Sequence, residues 1–422
     1  MPRRIGRQKT LPQQQTPSAS DPHRPPRAPW LMLLALTTAF ALSQSFRTVA
    51  AIMAPPLQRE FGLSAQALGS FAGAFHFAFG ALQLFMGIGI DLHGVRRTVL
   101  AAFPLAIAGA LLSAMAPNFA LLVAGQVLIG IGCAPAFLVC TVFIARHFPA
   151  RFAAVSGATL GLGSAGMLLT GTPLAWVIQQ QSWRAGFVVL AACSALSWLA
   201  IAWLVREPAR LADAAPRLSV GQALRSYGPL LRMPHTLGIV ALALFTYAAF
   251  LSLRGLWLGP LLVERHGFSL VQSGNVALAV SIVSMLGLPV FGRLDPGPAR
   301  RRAWITAGTL GLALLFVAMA LWPAAWVDVA ASVAVGLLSG YIVLQYADVK
   351  AGYPAAMTGR AMAVFTMALF MGVALMQWAT GLVASAAIAR GGDPFLAVLL
   401  AIAALLALGA AAFRWLPAPP QH

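Results

Sequence analysis

Arg47 and Arg254 each stand deep in a long apolar run, where a charge needs a reason. Arg47 lies 17 residues beyond Trp30 and 12 before Arg59, which at the helical rise is roughly 25 Å and 18 Å. Arg254 lies 19 residues beyond His235 and 10 before Glu264, roughly 28 Å and 15 Å. A guanidinium at the centre of a membrane helix costs ~2.5 kcal/mol or more unless a cavity or a partner receives it. No Asp or Glu falls clearly within the apolar interior; Asp328 and Asp348 sit at predicted segment ends. Two arginines without carboxylates make an electropositive cavity, and the guanidinium fork matches a carboxylate or a phosphate. The simplest missing partner is an anionic substrate. The bland alternative is that each arginine snorkels outward or bonds backbone carbonyls.

Other polar groups fall at helical spacing around these two. Tyr247 precedes Arg254 by seven residues on the same face, and Trp257 follows it by three. Tyr341 and Gln345 are four apart. Each of the four could bond or stack on a substrate, and each could equally serve helix packing. His76 and Gln83, seven apart, share a face. His76 could carry a coupling proton near neutral pH, although a structural hydrogen bond is the commoner use of a buried histidine. The three cysteines, in apolar segments, read as packing residues.

The elements that must hold these residues are membrane helices. The chain has 422 residues, of which 60% are hydrophobic and 9% charged. Its mean hydropathy is +0.82. Soluble domains carry roughly 25% charged residues, so a solvated globular surface is excluded. Apolar runs long enough to cross a bilayer fall near 30–56, 68–90, 97–117, 119–145, 153–178, 184–205, 235–262, 270–292, 303–322, 326–347, 358–387 and 394–416. The fold class is therefore an all-α membrane protein of twelve transmembrane helices. With twelve crossings, 22 of the 28 basic residues lie on the side of the termini, four on the other, and two inside. That asymmetry places both termini in the cytoplasm and accounts for the net charge of +18 without nucleic acid.

The predicted organisation is a disordered cytoplasmic tail over 1–28, an N-terminal six-helix bundle over 29–205, a cytoplasmic linker over 206–234, a C-terminal six-helix bundle over 235–416 and a short tail over 417–422. The halves echo one another. Pro56 to Ser64 is answered by Pro260 to Ser269, and the turn from Gly87 to Arg97 by that from Gly292 to Arg302. Six-span halves repeated in parallel are an architecture of secondary transporters, with the substrate between them near the midplane.

The stretch Gly87-Ile88-Gly89-Ile90-Asp91-Leu92-His93-Gly94-Val95-Arg96-Arg97 resembles the loop between segments 2 and 3 of the major facilitator superfamily. Leu92 and Val95 stand where that family usually has a basic residue, leaving Arg96 or Arg97 to pair with Asp91. The resemblance covers about 30–416. It implies a pseudo-twofold pair of bundles and a conformational latch at Gly87, Asp91, Gly94, Arg96 and Arg97. It also implies a substrate path lined by segments 1, 4, 7 and 10. Phe46-Arg47, Gln83, Arg254-Gly255-Leu256-Trp257, Gly359-Arg360-Ala361 and Gln377 resemble the organic-anion and nitrate-like porters of the family. In the glycerol-phosphate/phosphate antiporter and its organic-anion relatives, arginines of segments 1 and 7 hold the anion, which Arg47 and Arg254 would match.

The function expected is transport of a small organic anion, a carboxylate first, across the inner membrane by alternating access. The substrate contacts expected are Arg47, Arg254, Tyr247, Trp257, Tyr341 and Gln345. Export of hydrophobic or drug-like compounds is the alternative within transport. A membrane enzyme or sensor has no support: no nucleotide loop, zinc motif or Ser/His/Asp grouping is found. No cofactor, metal or nucleic-acid partner is expected, and the chain reads as a monomer in the lipid bilayer. The five glycines from Gly157 to Gly171 read as close helix packing.

Overall fold

A computed structural model describes residues 28–206 and 227–419. Residues 1–27 of the expected tail, most of the linker expected over 206–234 and residues 420–422 lie outside that range. Twelve helices follow in order: α1 (Pro29–Phe61), α2 (65–92), α3 (His93–Ala114), α4 (Phe119–His147), α5 (Val155–Gln180), α6 (Trp183–Leu204), α7 (Pro234–Arg265), α8 (Leu270–Arg293), α9 (Pro298–Leu321), α10 (Ala325–Gly352), α11 (Met357–Ala389) and α12 (Pro394–Trp415). All but α2 are by themselves long and apolar enough to cross a membrane. α2 is the first arm of a bent helix, Ala65–Ala114, that turns at Gly94. With twelve crossings the described chain begins and ends on one side, here the terminal end; the other is the distal end.

The repeat is written into backbone geometry. Gly62 after α1 has φ 60°, and Gly267 after α7 has φ 68°. Ser64 and Ser269 then cap α2 and α8, both at φ −67° and ψ 160°, each accepting a hydrogen bond from the backbone N–H three residues on. Gly94, between α2 and α3, has φ 84° and ψ 170°. Gly297, between α8 and α9, has φ 80° and ψ 170°. Side chains avoid that region, so both tight turns need glycine.

At the distal end, each first helix is tied to the last helix of its own bundle. Glu60, ending α1, pairs with Arg184 of α6 at 2.6 Å and accepts from Trp183 Nε1. Arg265, ending α7, pairs with Asp393 before α12 at 3.1 Å. The arrangement repeats with the signs exchanged. Arg265 also reaches Asp328 at 3.5 Å, and His266 Nε2 lies 2.6 Å from the same carboxylate, so the first turn of α10 joins this cluster.

The bundles meet along the distal half. α7 crosses α1 with Gly255 against the carbonyl of Arg47 and Gly259 against that of Ala51. α2 presses on α11 where Gly69 meets the carbonyl of Gln377 and Gly381 meets that of Ala65. α5 meets α8 at Gly171 and Gly274, and Thr172 Oγ1 donates to Asn275 Oδ1 at 2.6 Å. Such backbone approaches require glycine, because a Cβ would occupy the partner's carbonyl.

Two expectations are corrected. α1 does not end near Pro56 but runs through Pro55 and Pro56 to Phe61. Pro55 cannot donate to the carbonyl of Ala51, the oxygen on which Gly259 packs, so the prolines bare a carbonyl at the bundle seam rather than end the helix. In α5, Gly163, Gly166 and Gly171 do pack closely, against Phe40, Ala41 and Gly274. Gly157 and Gly161 face open space: a Cβ on either would meet nothing within 4 Å.

Candidate functional site

The crossing of α1 and α7 sets the geometry of both arginines. A Cβ on Gly255 would stand 2.9 Å from the carbonyl oxygen of Arg47. The two helices therefore touch at the residues that carry the charges. Long helical side chains lean toward the helix N-terminus, which for α1 and α7 is the terminal end. Both guanidinium groups thus leave the crossing in the same direction, but they arrive in different surroundings.

Arg254 lies on a π-turn, Leu253–Trp257, one of two in α7; the other is Leu261–Arg265. Such wide turns are rare and concentrate at functional positions. Arg254 is 0% exposed. Its Nε donates to Ser281 Oγ of α8 at 2.9 Å. Its Nη2 crosses to the other bundle and donates to the Met167 carbonyl at 3.1 Å and to Thr170 Oγ1 at 3.4 Å. Both acceptors lie where α5 is interrupted between short helical pieces. Thr170 is itself held by Thr48 of α1, hydroxyl to hydroxyl at 2.6 Å. Nη1 alone is buried without a partner.

Arg47 has a different shell. Its Cζ lies 4.6 Å from the ring centroid of Phe79 in α2 and 4.6 Å from that of Phe370 in α11. The two rings are 4.5 Å apart. Three nearly equal sides put both rings on one side of the guanidinium, as a roof built from both bundles. The Tyr247 hydroxyl of α7 stands beside the group, and the Tyr247 ring packs edge-on against Phe370 at 5.8 Å. Arg47 is 5% exposed, and its Nε has no hydrogen-bond partner. Neither arginine forms an ion pair among the described residues.

His76 joins this neighbourhood. Its Nδ1 faces the Ala72 carbonyl at 3.1 Å, and its ring packs edge-on against Phe75. Nε2 faces the Gln377 side chain of α11, whose Oε1 is likewise without a partner at hydrogen-bond distance. Gln83 donates to the carbonyls of Phe79 and Ala134, tying α2 to α4.

The other expected contacts lie elsewhere. Trp257 donates to Thr380 Oγ1 at 2.9 Å and packs on Phe395, so it joins α7 to α11 and α12 instead of flanking the Arg254 guanidinium. Tyr341 hydrogen-bonds Thr309 at 2.9 Å and lies against Gly308, inside the C-terminal bundle. Gln345 accepts from Thr246 at 3.1 Å and lines a small internal gap with Asp348, Ile305 and Phe365. The structure thus brings together Arg47, Tyr247 and His76, sets Arg254 and Trp257 in separate polar contacts, and joins Tyr341 and Gln345 in one shared with Thr246. The roof residues Phe79 and Phe370 carry no sequence signal among 24 phenylalanines. Gln377 carries a sequence signal only through the resemblance to the organic-anion porters.

At the terminal end, Gly94 makes the turn assigned to it, Arg96 Nη2 donates to the Ala202 carbonyl of α6 at 2.8 Å, and Arg97 is exposed. Gly87 and the Asp91 side chain lie outside the described residues. The counterpart loop is fully described. Arg301 grips Asp295 through Nη2 at 2.7 Å and Nε at 3.1 Å, and the Gly297 N–H donates to Asp295 at 3.0 Å. These donors hold the Asp295 carboxyl below its ordinary value, the Arg301 hydrogen bonds being the largest cause.

Twelve helices in two like bundles, meeting around two buried arginines that form no ion pair among the described residues, define a polytopic membrane protein. The family model described as Major Facilitator Superfamily matches residues 35–377, and the chain belongs to that family of transporters. A relative named MFS-type efflux pump, from Mycolicibacterium smegmatis, is 30% identical over 70% of this chain and 70% of its own. "Probable sulfoacetate transporter SauU" of Cupriavidus necator is 26% identical over 64% of this chain and 65% of its own. The hexuronate transporter of Escherichia coli K12 is 23% identical over 63% of this chain and 65% of its own. Among solved structures, a bacterial homologue of the human lysosomal transporter Spinster superposes with a TM-score of 0.73 at 17% identity, covering 92% of this chain and 97% of that one. The D-xylose-proton symporter does so with 0.73 at 16%, covering 94% and 99%. At these identities the likeness is one of fold.

Proposed function

We propose that this protein is a secondary transporter for small organic anions, carboxylates first, in which the two bundles rock about a site at Arg47. The carrying observation is that Arg47 is buried between the bundles, with a partnerless Nε and no carboxylate beside it. A buried charge of this kind is costly until an opposite charge arrives, so an anion has more to gain here than a neutral solute. Relatives named for sulfoacetate and hexuronate support the same reading. The basic residues on the terminal side support an inner-membrane protein with both termini cytoplasmic.

The test is uptake by proteoliposomes of the purified full-length chain across a panel of carboxylates, with Arg47→Gln as the control. Carboxylate uptake that falls at least tenfold in Arg47→Gln is the expected result. Export of hydrophobic compounds is the second reading, favoured by the efflux relative at 30% identity. Dye export that is indifferent to Arg47→Gln, with no carboxylate uptake, would establish it instead.

A further inference from the structure

We propose that the groove between α9 and α12, on the lipid side of the C-terminal bundle, binds one phospholipid with a net anionic headgroup. Its alkyl chain lies in the groove and its phosphate meets Arg414.

The groove supplies the space. It holds about 480 Å³ and is lined by apolar side chains of the two helices. Leu310 and Leu314 of α9 and Leu400 of α12 are exposed and form its rims, while Ala313 and Ala403 are buried and form its floor. Alanine on both helices makes the hollow, and leucine on both sides deepens it. These turns lie within the apolar spans of both helices, so the medium around the groove is hydrocarbon. The seam contacts run through α1 with α7, α2 with α11 and α5 with α8, so the groove lies apart from the Arg47 site.

The charge at its terminal end supplies the headgroup preference. On α12, Arg414 follows the groove residue Ala407 by seven positions, on the same face and about 10 Å further along the axis. α12 runs from the distal to the terminal end, so the Arg414 side chain leans back toward the groove. Arg414 is exposed and forms no ion pair among the described residues. The arginine next to it is already engaged. Arg302 Nη1 donates to Asp348 at 3.3 Å and Nη2 to the Phe413 carbonyl at 2.9 Å, with Cζ 3.8 Å from the Phe413 ring centroid. Those contacts pin α9 to α12 above the groove and leave Arg414 as the uncompensated charge. Trp415 beside it is exposed, as in the aromatic belts that meet lipid headgroups. A free guanidinium at the end of an apolar groove matches a phosphate that carries an alkyl chain.

A helix of a second copy fits less well. Two turns of helix, ~10 Å across, fill roughly 800 Å³. The groove holds about 480 Å³, which suits a chain of single-carbon width better than a helix.

The experiment is native mass spectrometry of the full-length protein released from nanodiscs that hold equal amounts of phosphatidylglycerol and phosphatidylcholine. Retained phosphatidylglycerol is expected to exceed phosphatidylcholine about fivefold. Arg414→Gln is expected to bring that ratio toward one while lipid stays bound. Ala407 is exposed, so Ala407→Phe fills the groove without entering the core, and both lipids are expected to be lost. Arg293→Gln, an exposed cation at the same end but on α8, is expected to leave the ratio unchanged. A ratio near one in the unaltered protein, or one that Arg414→Gln does not lower, overturns the proposal. So does an equal fall in Arg293→Gln, which would assign the preference to the basic face as a whole. Retention that survives Ala407→Phe places the lipid outside the groove. A lipid-free dimer that Ala407→Phe abolishes would give the groove to a second copy instead.

Discussion

Gly255 lies against the backbone of Arg47: a Cβ in its place would stand 2.9 Å from the Arg47 carbonyl oxygen. One turn on, a Cβ on Gly259 would overlap the carbonyl of Ala51. At these two positions the contact between α1 and α7 is backbone on backbone, with no flexible side chain to give way. Gly255→Ala is expected to loosen the seam modestly and Gly259→Ala more strongly, within the ~1–3 kcal/mol that overpacking costs. Gly157→Ala, in open space by the same measure, is expected to change nothing. Thermal unfolding of the three variants in detergent gives the order directly; equal effects at Gly259 and Gly157 would contradict the packing.

Arg254 links the bundles through Met167 and Thr170. Hydrogen bonds from a charged donor contribute ~1.5–3 kcal/mol each, and tenfold in an equilibrium is ~1.4 kcal/mol. Arg254→Gln is therefore expected to raise opening of the distal end about tenfold or more, with Arg254→Lys in between. The reporter is Ala175→Cys, a buried position packed on Gly274, in a chain cleared of its native cysteines. Its labelling rate with a membrane-impermeant maleimide measures the opening. An unchanged rate in Arg254→Gln would show that the contacts do not hold the seam.

The helices were legible in the sequence because membrane crossing imposes length and apolarity residue by residue. The twofold repeat was legible because its turns need particular residues: Gly62 with Gly267, Ser64 with Ser269, Gly94 with Gly297. What the two arginines touch was not legible. Met167 receives Arg254 through a backbone carbonyl, and every residue has one. Phe79 and Phe370 lie on helices nine apart in the chain order, brought together only by the packing of the bundles. The symmetry of Arg47 and Arg254 in sequence suggested one shared task. The structure instead places one under an aromatic roof and engages the other across the bundle seam.

The Asp295 contact predicts a pH dependence. Arg301 and the Gly297 N–H bind the ionised carboxylate, so Asp295 is depressed in the folded protein relative to the unfolded chain. Its contribution is therefore fully present above the ordinary aspartate value of ~3.9, and it is lost as pH falls through the lower, folded value. The side chain is 28% exposed, which keeps the contribution near ~1 kcal/mol or below. Asp295→Asn is expected to lower the unfolding temperature by a few degrees at pH 7, and the gap is expected to narrow as the pH drops below 4. A gap that widens on acidification would reverse the assignment.

Arg265 pairs with two carboxylates whose surroundings differ sharply. Asp328 is 0% exposed, accepts from His266, and keeps Oδ1 without a partner, whereas the Asp393 side chain is 40% exposed. Removing one member of a buried pair costs up to ~3–5 kcal/mol where the other charge is stranded. Arg265 keeps Asp393, so the cost of losing Asp328 falls below that range but above that of an exposed pair. Removing a member of an exposed pair costs ~0–1 kcal/mol. Asp393 also caps α12 by accepting from the Phe395 N–H at 2.8 Å, a role asparagine fills equally well. Asp328→Asn is therefore expected to lower the unfolding temperature by several times as much as Asp393→Asn. Arg265→Gln should fall near Asp328→Asn, since it breaks the same buried contact, and the double variant should cost less than the sum of the two. Additive losses would mean that Arg265 and Asp328 stabilise the distal end independently, despite the 3.5 Å between them.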